Sequence, residues 1–437
     1  MKRAHTEIRR KEDTRGKKKK KAVTSPMVRD MTTEASPESL SGLLPAISTN
    51  SLGDAGLHPL RRKFEQVAQK GFKGVEIYYP ELEDHAQKNT KNDIFKAAEE
   101  ISEMCNDLNL TVVTIQPFTN FEGLADDYRL FTAQFLNQKL PEWVRLAYIL
   151  RAEMILVPSN YFGLDEKRRP RTTSEYIVPD LQLLVDRGAT LWQALREEDL
   201  EGSSEGKEKD KATSAPPTLK FAYEALAWGD HVDTWQKSWE VVKLVDRPNL
   251  GMCLDTFNIG ARDYAEPSLF PPGIQIHGEE RIWKSLNELS KIFKECAPEH
   301  RHKLFFVQVA DGERMVEPLI GDIESPLTGE ELLASDHHEP GQPSRMTWSR
   351  TSRLFPYEIS ARKAEGFLPI TDMIRVIFHD LKYRGWVSFE IFNADLDDSS
   401  SQTTAVQARK GWECWWRMIQ KLEAINLRLC DNSMSTT

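Results

Sequence analysis

Eight short apolar runs alternate with longer amphipathic stretches from Leu44 onward, and this rhythm constrains the fold more than any other feature of the chain. Strands separated by helices imply a parallel sheet. The runs lie at 45–53 (with a turn), 74–79, 110–118, 151–160, 218–225, 249–257, 303–310 and 385–392. Helical spacing is expected over 59–72, 92–109, 127–150, 173–197, 233–246, 279–296, 370–382 and 404–427. Eight strand–helix units predict a closed (β/α)8 TIM barrel, an α/β fold. A doubly wound sheet normally shows a Gly-rich phosphate turn after its first strand. The turn here, STNSLGDAG, contains neither GxGxxG nor GxxxxGK(S/T).

The flanks and interruptions have a different composition. Residues 1–42 are polar, charged and Ser/Thr-rich, and are expected to form a disordered tail, with the barrel over 43–430. The stretch 199–217 is too polar to pack and is expected to be a flexible insertion, and 312–367 a long irregular loop. Residues 1–21 hold eleven Lys/Arg and three Asp/Glu, a charge of +8, so the remainder carries −9 − 8 = −17. An acidic body argues against a nucleic-acid partner, because phosphate contacts depend on Lys and Arg. The Lys17–Lys21 run is a candidate nuclear address, weighed against an extension of no specific role. No secretory core and no apolar stretch of roughly 18 residues is present, so a cytoplasmic protein with no membrane partner is expected. Five cysteines without CxxC spacing fit a reducing compartment and speak against a cysteine zinc site.

Four of the runs end in an oxygen donor: LKFAYE in Glu224, LGMCLD in Asp255, KLFFVQ in Gln308, and WVSFEIF around Glu390. Buried carboxylates are costly unless paired, protonated or bound to a cation. In a barrel these ends belong to the last four strands, which are neighbours about 4.8 Å apart and face the catalytic end. The set therefore predicts one shared divalent cation, and its all-oxygen character favours Mg, Mn or Co. Taken singly, each carboxylate is also readable as a capping or salt-bridging group, Glu224 equally so, and Gln308 alone is a weak signal.

Other polar positions surround this set. Arg350 and Arg353, after Ser349 in TWSRTSRLFPYE, suit a carboxylate and would offset the negative ligands, or else are surface arginines. Glu76, Tyr78, Gln116 and Asn50 sit at or near strand ends, where they either orient substrate hydroxyls or make structural hydrogen bonds. His231, after the fifth strand, is a candidate general acid or base, or a capping histidine.

The segments AISTNSLG, GFKGVEIYYPELE, TVVTIQPFTNFEGL, YEALAWGDHVDTW…NLGMCLDTFNI, FFVQVADGE, WSRTSRLFPYE and GWVSFEIFN resemble the xylose isomerase-like, endonuclease IV-like barrel superfamily. Within it they resemble the fungal-type 3-dehydroshikimate dehydratases of quinate and shikimate catabolism. The resemblance spans about residues 44–425, and its most specific block carries Glu224 and Asp255. It implies a hydro-lyase that converts the small molecule 3-dehydroshikimate to protocatechuate. By similarity, Glu224, Asp255, Gln308 and Glu390 map onto metal ligands. Ser349 and Arg353 map onto substrate-binding positions, with Arg350 beside them. Some relatives carry His three residues after the metal Asp, where this chain has Asn258. Asn is no general base at neutral pH. The proton then falls to His231 or to a water on the cation, or Asn258 only orients the substrate. A sugar isomerase or epimerase of the same superfamily and a non-catalytic metabolite-binding relative are the alternatives. A DNA-repair nuclease is disfavoured by the acidic body.

Overall fold

A computed structural model describes residues 40–162, 172–202, 215–269, 272–296, 298–319, 342–359 and 366–434. The Lys17–Lys21 run, most of the 199–217 insertion and much of the 312–367 segment lie outside the described residues. The described residues form one compact unit.

All eight expected strands form, each shorter than its apolar run: β1 Leu43–Ser48, β2 Gly74–Tyr78, β3 Thr111–Gln116, β4 Met154–Pro158, β5 Lys220–Glu224, β6 Leu250–Asp255, β7 Leu304–Gln308 and β8 Gly385–Phe389. They close in the order β1-β8-β7-β6-β5-β4-β3-β2. Every neighbouring pair is parallel. The outer helices arise from ordinary amphipathic patterns. Ile94–Asp107 is typical: Asp93 caps it by accepting from the Lys96 amide. Its buried Ala97, Ala98, Ile101, Met104 and Cys105 fall on one face. Each large apolar side chain so buried contributes about 1.5–3 kcal/mol.

Side chains alternate across each strand, and this alternation builds the site. An apolar layer fills the barrel interior with Ala46, Val113, Ala222, Cys253, Phe306 and Trp386 among its members. Two residues further along β5, β6 and β7, the next inward positions are Glu224, Asp255 and Gln308. On β1 the corresponding position is Ser48. Gly74 occupies the interior position two residues before Glu76. A Cβ there would lie 2.5 Å from Val113 Cγ2 and 2.7 Å from the Trp386 ring, so any larger residue forces these neighbours to shift.

One part of the expectation needs correcting. Within the 312–367 segment the structure holds a helix, Ser344–Thr351, and a short strand, Arg353–Leu354, which pairs antiparallel with Asp311–Gly312 at the segment's start. Trp348 anchors this helix: it is buried, donates from Nε1 to the Glu313 carbonyl at 2.9 Å, and packs on Phe257 at 4.8 Å between ring centres. A buried aromatic anchor thus orders a segment whose local composition reads as irregular.

Candidate active site

The carboxyl ends of the strands converge on one buried acidic cluster. Glu224, Asp255 and Glu390 each place an oxygen within 4.8 Å of the others, and all three are buried. Asp255 ends β6 and begins the helix Thr256–Asp263. Its Oδ1 caps that helix by accepting from the Phe257 amide at 2.9 Å, which leaves Oδ2 for the cluster. Register places Gln308 directly beside Asp255.

Glu390, one residue past β8, is held from several sides. Gln116 Nε2 donates to Oε1 at 2.6 Å, and Arg353 Nη1 donates to Oε2 at 3.0 Å. The turn after β1 fixes the backbone on either side. Asn50 Nδ2 donates to the Ile391 carbonyl at 3.0 Å. Ser51 Oγ donates to the Phe389 carbonyl at 3.1 Å and accepts from the Ile391 amide at 2.7 Å.

Arg353 sits among the acids. Its Nη1 lies 3.0 Å from Asp255 Oδ2, its Nε donates to Ser349 Oγ at 3.0 Å, and its guanidinium stacks 4.5 Å from the Phe257 ring centre. Burial works against its charge, yet Asp255, Glu390 and Glu224 together raise its pKa. Burial pushes the Glu224 carboxyl well above the usual range, with Glu390 and Asp255 adding to the effect. Asp255 and Glu390 are also raised by burial, against the pull of Arg353. Glu76, fully buried on β2, is raised by burial and then by Glu390.

Asp255 and Glu390 contact one guanidinium, Glu224 lies within its field, and Glu76 joins the cluster through Gln308 and the charge of Glu390. Desolvated anions at such spacing favour either proton uptake or a hard cation. The donors are oxygens from fixed strand ends, so the set fits a divalent ion such as Mg or Mn. Glu224, Asp255 and Glu390, with Gln308 beside them, are the residues able to hold it.

The remaining candidates fall into two groups. Asn258 belongs to the cluster, but as a brace: Nδ2 donates to Glu224 Oε1 and Asp255 Oδ2, each at 2.8 Å, and Oδ1 accepts from the Ala227 amide at 3.1 Å. Both of its amide hydrogens are committed to these carboxylates. Gln308 Nε2 donates to Glu76 Oε2 at 2.9 Å. Gln116 and Ser349 are buried in the site, whereas Tyr78 is half-buried and Arg350 exposed. The Tyr78 hydroxyl is raised by burial and then by Glu390, with Arg350 acting in the opposite sense, so both stand within the field of the cluster. His231 is exposed on the loop after β5, and its Nε2 meets the Thr172 carbonyl. No described hydrogen bond joins it to the carboxylates.

Sequence reasoning missed Ser48 and Phe257. Ser48 Oγ accepts from Gln116 Nε2 at 3.2 Å, and Phe257 carries the Arg353 guanidinium. Ser48 ends β1, where alternation would have flagged it, whereas Phe257 lies in the helix after β6, where a period of two no longer applies.

Comparison with known proteins agrees with this architecture. Residues 64–417 match the family described as xylose isomerase-like TIM barrel. A 3-dehydroshikimate dehydratase from Neurospora crassa is 33% identical over 394 residues, covering 86% of this chain and 94% of the relative. A 3-dehydroshikimate dehydratase from Pseudomonas aeruginosa is 26% identical over 79% of this chain, which spans only 38% of that longer protein. Among solved structures, a xylose isomerase-like TIM barrel/4-hydroxyphenylpyruvate dioxygenase fusion protein aligns with a TM-score of 0.57 at 24% identity, over 90% of this chain and 45% of that one. The IOLI protein with a bound zinc atom aligns with a TM-score of 0.55 at 12% identity, over 87% of this chain and 99% of that one. Both are likenesses of fold. The chain belongs to the xylose isomerase-like TIM barrel family.

Proposed function

We propose that this chain is a hydro-lyase that dehydrates 3-dehydroshikimate to protocatechuate, using a divalent cation held by Glu224, Asp255, Gln308 and Glu390. One observation carries the reading: the buried carboxylates converge at the strand ends of a chain 33% identical to a dehydratase over nearly that relative's whole length. A cation bound there supplies Lewis-acid polarisation of the substrate's ketone oxygen, which acidifies the neighbouring C–H.

The chain's own groups divide the remaining work. Arg353 aligns Asp255 and Glu390 and opposes their protonation, and Asn258 fixes Glu224 against Asp255. Ser349, Arg350, Tyr78 and Gln116 bind the substrate, with exposed Arg350 at the rim suited to its carboxylate. With Nε2–H donated to the Thr172 carbonyl, His231 keeps its lone pair on Nδ1. That nitrogen takes the proton next to the ketone and returns one to the departing hydroxyl, which leaves as water. Tautomerisation of the product to the aromatic ring completes the reaction.

Purified protein given 3-dehydroshikimate and Mn or Mg should develop the ultraviolet absorption of protocatechuate. Replacing His231 by Ala should lower kcat by about a hundredfold or more. Undiminished turnover in that variant would remove His231 from the mechanism. Absence of product in the wild type would remove the dehydratase reading itself.

A further inference from the structure

Glu76 and Gln308 meet across the barrel. Strands β2 and β7 are separated by β1 and β8, yet Gln308 Nε2 donates to Glu76 Oε2 at 2.9 Å, with both side chains wholly buried. The contact needs only an acceptor oxygen, which a carboxyl group offers in either protonation state.

A primary amide is nearly symmetric in shape and opposite in chemistry at its two ends. Its NH2 repels a cation and its oxygen ligates one, so the neighbours must decide which end faces the site. Glu76 accepts from the NH2 end of Gln308 at 2.9 Å, and the same end also meets the Glu390 carboxyl. Among the described residues, the oxygen end meets a weak donor, the Cys253 thiol at 3.7 Å. The carbonyl oxygen is therefore the end left without a strong partner.

We propose that Glu76 is a positioning residue: by accepting from Nε2 it fixes the Gln308 amide so that Oε1 stays available to the cation. This assigns Glu76 to the ligand's support rather than to substrate. The inference rests on Gln308 being a cation ligand. Outer partners of this kind commonly control metal affinity.

Mn binding to chelator-stripped, full-length protein, measured by calorimetry, provides the test and needs no turnover. Glu76→Leu should weaken Mn binding by about tenfold to a hundredfold. Glu76→Gln, which keeps an acceptor oxygen but removes the charge, should stay within about twofold of the wild type. In a Gln308→Ala background, Glu76→Leu should add no more than about twofold. Glu76→Ala makes the same comparison if the leucine variant does not fold. Equal losses in the Gln and Leu variants would overturn the inference, since a plain charge effect behaves that way. So would a Leu penalty that persists without Gln308. A wild type that binds no Mn would overturn both this inference and the cation site. Absence of dehydratase activity alongside the predicted binding pattern would overturn only the proposed reaction.

Discussion

Arg353 joins three parts of the site: the β6 acid, the β8 acid and the helix that carries Ser349. Its removal leaves buried carboxylates facing one another without a counter-charge. Arg353→Met is expected to destabilise the fold by about 3 kcal/mol or more, read by chemical denaturation. Saturating Mn should recover part of that loss. A second residue makes a pH prediction. Glu122 accepts from the Asn160 amide at 2.9 Å and the Tyr223 hydroxyl at 3.1 Å, yet burial pushes its carboxyl up to about 8. The folded state holds this proton where the unfolded state has released it. Glu122 therefore makes stability fall as pH rises from the ordinary carboxylate range to about 8, at up to about 1.4 kcal/mol per pH unit. Glu122→Gln should flatten that slope in denaturation curves at pH 5 and pH 8; an unchanged slope would contradict the assignment. The two kinds of acid were not equally legible. Glu224, Asp255 and Glu390 sit on or just past strands of period two, so their inward aim could be read from the sequence. Glu122 lies in TNFEGL, where nothing in the local pattern marks burial.

Elements were legible wherever a short apolar run was bounded by turn residues, as in GVEIYY and LGMCLD. The Ser344–Thr351 helix was not, because its eight residues SRMTWSRT have little amphipathic pattern and depend on one anchor. Trp348→Ala should cost about 3–5 kcal/mol in denaturation experiments. Because Ser349 and Arg353 follow directly, it should also reduce dehydratase activity in protein that remains folded. Crowding inside the barrel makes a complementary prediction. Gly74→Ala places a methyl group against Val113 and Trp386 and is expected to destabilise by about 1–3 kcal/mol, seen as a lower melting temperature.

For the whole molecule, strand order and function are linked. β5, β6, β7 and β8 are consecutive around the barrel, so four positions spread over 167 residues of sequence, from Glu224 to Glu390, arrive at one end of one cylinder. Truncation before Leu40 leaves every described strand intact, and the shortened protein should retain full turnover. The claim on which all of this depends is that these strand ends share a single ion required for catalysis. Its most direct test is to strip the protein with a chelator, add Mn in steps, and follow protocatechuate formation at each step. Activity should be absent at first and should rise to a plateau at one Mn per chain, with Glu390→Ala failing to recover. Full activity in the stripped protein, or an undiminished rate in Glu390→Ala, would contradict the account.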